Sequence, residues 1–109
     1  MSDILKQLDQ VLKARKLDDP SQSYVASLYD KGIEKILKKI AEESAETIMA
    51  AKDLEHNGDT AHLVYEITDL WFHTLVLLAS QGLSSQDITQ ELQRRFGLSG
   101  HEEKANRSK

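Results

Sequence analysis

Apolar residues recur at helical spacing along most of this chain. Ile4, Leu5, Leu8, Val11 and Leu12 fall at i, i+1, i+4, i+7 and i+8 with polar residues between them, which predicts an amphipathic helix over residues 2–15. Asp18-Asp19-Pro20-Ser21 ends it and opens a loop. The stretch SYVASLYDK, residues 23–31, has no clean period and reads as a structured loop carrying two outward-facing tyrosines, Tyr24 and Tyr29. Asp30 then suits the N-cap of a second helix over about 31–56, with Ile33, Ile36, Leu37, Ile40, Ile48 and Ala51 as its stripe. Asn57-Gly58 stops that helix, and Asp59 or Thr60 caps a third that runs to about Gln81, before Gly82. Ser84 with Asp87 has the spacing of a capping box for a fourth helix carrying Ile88, Leu92 and Phe96. After Gly97, Ser99 and Glu102 suit either the cap of a last short polar helix or a polar tail over about 98–109. No strand pattern and no repeat occurs. The expected fold is all-α: one domain over 1–109, a helical bundle whose second and third helices form a central antiparallel hairpin.

Composition narrows the function classes. The 109 residues suffice for a core without staples, and alanine, leucine, glutamate and lysine favour helices. The absence of cysteine excludes a disulfide framework, a thiolate zinc site and a cysteine nucleophile. A net charge of −4 argues against a nucleic-acid partner. No apolar run is expected to reach the length of a membrane span and the N-terminus does not read as a signal peptide, so no membrane partner and a cytoplasmic location are expected.

The candidate chemistry lies in two acidic phrases, Glu42-Glu43-Ser44-Ala45-Glu46 and Glu66-Ile67-Thr68-Asp69. Residues three or four apart share a helix face, so Glu43 lies beside Glu46 and Glu66 beside Asp69. At roughly 100° per residue, Glu43 falls at the edge of its helix's apolar stripe with Lys39 one turn before it. Glu42 points nearly opposite, toward solvent. Glu66, Asp69 and His73 share one narrow strip of the third helix, with His62 near its start. Measured from the turn at roughly 1.5 Å per residue, the two phrases stand at comparable height, so four carboxylates converge. The third helix is apolar on nearly every side, and no lysine or arginine occurs between 53 and 93 to pair with Glu66 or Asp69. Buried carboxylates of this kind need a compensating cation.

Surface salt bridging accounts for Lys39 and Glu43 as an i, i+4 pair, but not for Glu66 and Asp69. A di-iron carboxylate site needs a histidine three residues after a glutamate, and none is so placed. Oxygen-only ligands suit Mg²⁺, with Mn²⁺ as the alternative. Glu43, Glu46, Glu66 and Asp69 are the expected metal ligands, with Glu43 or Glu46 the candidate catalytic base acting through a bound water. His73 is expected to orient a carboxylate from behind. Trp71 and Phe72 read as core or interface.

An E-x-x-E phrase on one helix and E-x-x-D on the next resembles the signature of the MazG-like all-α nucleoside triphosphate pyrophosphohydrolases. The flanking stretches SYVASLYDKGIEKILKKIAEESAE, LVYEITDLWFHTLVLLASQGLS and RRFGLSGHEEKANR sharpen the resemblance to the phosphoribosyl-ATP pyrophosphatase family, over roughly residues 20–107. Ala41 stands where the family's pattern leads one to expect glycine. The resemblance implies hydrolysis of phosphoribosyl-ATP to phosphoribosyl-AMP and pyrophosphate in histidine biosynthesis, with Mg²⁺ and a water nucleophile. In such families this domain is often fused to a phosphoribosyl-AMP cyclohydrolase; 109 residues are too few for that partner and there is no cysteine for its zinc site, so the stand-alone form is expected, with the cyclohydrolase on a separate chain. The charge of a triphosphate gives Lys39 a second reading, as a phosphate contact. Tyr24, Tyr29 and Lys31 of the loop and Arg95 and Lys104 of the basic C-terminal region are candidate substrate contacts, or else solvated surface. The competing functions are a house-cleaning hydrolase of free nucleoside triphosphates and a non-catalytic helical dimerisation module.

A helix apolar all round must be covered all round. The third helix is therefore expected to leave an apolar patch, centred on Phe72 and Val76, that a second copy covers in a homodimer or higher oligomer. Such pairing would bring the loop or tail of one subunit near the acids of the other.

Overall fold

The computed structural model describes residues 3–96, and within them the architecture is all-α. Five α-helices follow one another: α1 (Ile4–Ala14), α2 (Tyr24–Lys31), α3 (Ile33–Asp53), α4 (Thr60–Ser80) and α5 (Ser85–Arg95). Short 3₁₀ turns at Arg15–Leu17 and Leu54–His56 extend α1 and α3. The suggested Ser99 cap lies outside the described residues.

Residues 24–31 form a helix, not the expected loop. The Ser23 hydroxyl accepts a hydrogen bond from the Ala26 amide at 3.1 Å, which caps the N-terminus of α2. Gly32 ends it, its amide reaching the carbonyls of Leu28 and Tyr29, while its own carbonyl accepts from Lys35 and Ile36 of α3. One residue thus closes one helix and opens the next. It does so at φ +93°, a backbone region that L-residues rarely adopt. Asp30, expected to cap the following helix, sits instead in the last turn of α2.

The turn between α3 and α4 matches the Asn57-Gly58 signal. Asn57 is left-handed at φ 68°, and the Gly58 amide donates to the Asp53 carbonyl at 2.7 Å. A side chain at Gly58 would place its Cβ 2.6 Å from that carbonyl, so close approach dictates the glycine. Asp59 caps α4 through the Ala61 amide. Ser84 and Asp87 form the expected capping box of α5. The Asp9 carboxylate of α1 also receives the Ser85 amide and hydroxyl, pinning the start of α5 to α1.

The α3–α4 pair is packed more extensively than any other, as an antiparallel hairpin. The core gathers toward its open end. Ile36 of α3 and Leu75, Val76 and Ala79 of α4 meet Leu12 of α1 and Val25 and Leu28 of α2. Leu12, Leu28, Ile36 and Val76 are fully buried, each contributing roughly 1.5–3 kcal/mol. Val76, at 0% exposure, cannot be the centre of an uncovered patch. The helix at 24–31 supplies Val25 and Leu28 on that side, and Phe72 is partly covered as well. The apolar surface left open lies elsewhere: at Trp71, 57% exposed, and at Ile48, Met49, Val64 and Tyr65 nearer the hairpin turn.

By length and composition α4 is apolar enough to cross a membrane, with a mean hydropathy of 1.2 over its best window, so the expectation that no run reaches that length is corrected. Its packing against α3 and its buried Glu66 make it the central helix of the hairpin.

Candidate active site

The acidic phrases of α3 and α4 meet across the hairpin. One carboxylate oxygen from each of Glu43, Glu46 and Glu66 lies within 4.8 Å of the other two. Glu43 and Glu66 are buried, at 6% and 7% exposure, and Glu46 opens to solvent. Asp69 is half-buried beside them, its charge acting on both Glu43 and Glu66. The structure therefore brings three carboxylates within common reach of one ion and sets the fourth next to them.

Each buried acid has a basic side chain near one of its oxygens. Glu43 Oε1 stands 3.7 Å from Lys39 Nζ, and Glu66 Oε1 stands 3.4 Å from His62 Nε2. Among the described residues, Glu43 Oε2 and Glu66 Oε2 are the buried side-chain oxygens without a hydrogen-bond partner. Such oxygens are costly unless a cation meets them. Hard oxygen donors converging from two rigid helices fit Mg²⁺ or Mn²⁺.

The same crowding governs proton affinity. Burial, then the charges of Glu46 and Asp69, push the Glu43 carboxyl above its ordinary value, against the pull of His73 and Lys39. Glu66 is raised by burial and by Glu46, which is close enough to share a proton with it. Glu42 behaves as expected of a solvated residue. Lys39 Nζ reaches it at 3.2 Å, closer than to Glu43, and holds its carboxyl below the usual value. His62, one turn before Glu66, joins the cluster's edge although residue type alone assigns it nothing. The signal was its i, i+4 spacing to Glu66.

His73 is buried behind the acids, but it does not grip a carboxylate. Its Nδ1 pairs with the Asp69 backbone carbonyl at 2.8 Å, one helical turn back, where that ring nitrogen readily reaches. A carbonyl only accepts, so Nδ1 carries a proton, and in the neutral ring Nε2 accepts from the Tyr24 hydroxyl at 2.8 Å. The Tyr24 and Phe72 rings both stand edge-to-face against the imidazole. Burial raises the Tyr24 hydroxyl, with Lys39 opposing and Glu43, Glu42 and Asp69 adding to the rise, so Tyr24 stands at the rim of the acidic cluster.

The family described as phosphoribosyl-ATP pyrophosphohydrolase matches residues 5–96 of this sequence. That span includes all four acids. The chain belongs to this family. A relative from Hydrogenovibrio crunogenus named phosphoribosyl-ATP pyrophosphatase is 68% identical over 108 residues, covering 99% of this chain and 96% of its own.

The remaining candidates scatter relative to the pyrophosphohydrolase cluster. Tyr29 spends its hydroxyl on the Leu12 carbonyl at 2.8 Å, with Lys16 over its ring, and so ties α2 to α1. Lys31 is exposed in the last turn of α2. Arg95 is bound to Glu91 at 3.0 Å on its own helix, and together with Arg94 holds the Glu91 carboxyl down at about 2. Lys104 lies outside the described residues.

Proposed function

We propose that this protein hydrolyses phosphoribosyl-ATP to phosphoribosyl-AMP and pyrophosphate, serving histidine biosynthesis in the cytoplasm. The observation that carries the reading is the trio Glu43, Glu46 and Glu66 with two buried oxygens left without donors, in a chain of this family. Glu43, Glu46, Glu66 and Asp69 would hold Mg²⁺, with Mn²⁺ able to replace it. When bound, the ion supplies neutralisation of the polyphosphate charge and activation of water. The chain's own groups do the rest. Glu43 and Glu46 are the candidates for accepting the water's proton: burial makes Glu43 the stronger base, and exposure opens Glu46 to solvent. Lys39, at the cluster's edge, is placed to trade Glu42 for a phosphate oxygen. His73, locked between Tyr24 and the α4 backbone, fixes the wall against which the substrate lies.

Incubation with phosphoribosyl-ATP and Mg²⁺ should release pyrophosphate and phosphoribosyl-AMP, and chelation should stop it. Stoichiometric orthophosphate release overturns this function. Equal turnover of a panel of free nucleoside triphosphates would assign the house-cleaning activity instead.

We also propose that the working unit is a homodimer. Trp71 borders an apolar groove of about 430 Å³ between α4 and α5, lined by Leu5, Leu75, Leu78, Ile88 and Leu92. With the open residues nearer the hairpin turn, this is exposed apolar surface of the kind that a second copy would cover.

A further inference from the structure

Beside the acidic cluster lies an open recess of about 550 Å³, walled by Arg15, Asp18, Asp19 and Gln22 of the α1–α2 connection and by Tyr24 and Phe72. Its size falls in the range of small-molecule sites. Its chemistry differs from that of the cluster. Arg15 is engaged by Asp18 at 3.0 Å, so the one cation of the wall is neutralised. Asp19 adds an uncompensated negative charge, its carboxylate accepting the Ser21 amide and keeping further lone pairs. Such a wall repels phosphate but accepts hydrogen bonds from hydroxyl and amino groups. Two aromatic side chains complete it, and both abut His73.

Tyr24 is the shared partition. One side feels the charges of Glu43 and Asp69, and the other lines the recess. A nucleotide with its phosphates at the acids therefore meets this hollow next.

We propose that this recess is the nucleoside seat of the enzyme: Asp19 and Gln22 accept hydrogen bonds from ribose hydroxyls, and the base lies against Tyr24 and Phe72. The assignment rests on the hydrolase reading above and adds to it where the adenosine ribose and base of the substrate go. It makes Asp19 and Gln22 specificity-determining residues and separates nucleotides from bare polyphosphates.

The test uses Asp19→Asn and Gln22→Ala, conservative changes on an exposed connection, with melting curves to verify folding. KM for phosphoribosyl-ATP should rise about three- to tenfold per variant, the loss expected of one hydrogen bond, with kcat within about twofold of wild type. The inhibition constant of AMP should rise in parallel, while that of inorganic tripolyphosphate should not move. Unchanged KM and unchanged AMP inhibition in both folded variants overturn the proposal. So does an equal rise for AMP and tripolyphosphate, which would place phosphate in the recess. Should wild type turn over no phosphoribosyl-ATP, the hydrolase reading falls, and direct titration of AMP into wild type and variants still decides the seat.

Discussion

Two buried carboxylate oxygens without donors, in a cluster of acids, make the metal-free site a place where charge is unwelcome. Glu66→Gln or Asp69→Asn should therefore lower turnover by about a hundredfold or more, yet leave the metal-free protein melting no lower than wild type. Glu42→Gln, out on the solvated face, should stay active. A large drop in melting temperature with activity retained would make the pair structural. The pH response follows from the signs. Glu43 and Glu66 have folded values raised above the unfolded ones, so they favour the fold most below the unfolded value, and that favour is lost as pH rises through the folded value. Glu91 has the opposite sign. Its contribution is complete above the ordinary 4.5 and is lost as pH falls toward about 2. In chelator, the melting temperature should climb as pH falls from neutral toward the ordinary carboxylate value and then decline, and Glu66→Gln should blunt only the climb. Thermal scans across pH would check both limbs. The acids were legible in the sequence because an apolar helix offers a carboxylate no solvent and this one offers no lysine. The partner of His73 was not, because a backbone carbonyl one turn back leaves no mark on residue type.

Single residues set the elements' junctions. Gly58→Ala drives a Cβ into the Asp53 carbonyl and should cost about 1–3 kcal/mol, measured by urea unfolding. Ser84→Ala removes half of a capping box and should cost about 1 kcal/mol, while kcat stays unchanged, since α5 supplies none of the four acids. The long helices were readable from their stripes and caps. The helix α2 was not, because eight residues carry too little periodicity to separate helix from loop. Its boundaries were nonetheless written as Ser23 and Gly32, a capping hydroxyl and a residue tolerant of positive φ. The missing helix explains the misplaced patch, since Val25 and Leu28 cover the side of α4 that a loop would have left bare.

At the scale of the whole molecule, exposed Trp71 and the groove beside it predict association. Sedimentation at micromolar concentration should show a dimer, and Trp71→Glu should shift it toward monomer without unfolding the chain, because Trp71 lies outside the core cluster. A fully active wild-type monomer would refute the assembly. That some apolar surface had to remain was legible in α4, but its position depended on which neighbours packed there. The core's location at the open end of the hairpin has one more consequence. Amide protons near Ile36 and along Leu75–Ala79 should exchange with solvent slowest, and those flanking Asn57 fastest, in a gradient that runs past the acids. If a second copy covers the apolar residues nearer the turn, diluting the protein should quicken exchange there and leave the open end unchanged. The fold would then carry one end whose persistence in time is its own and another whose persistence is set by concentration.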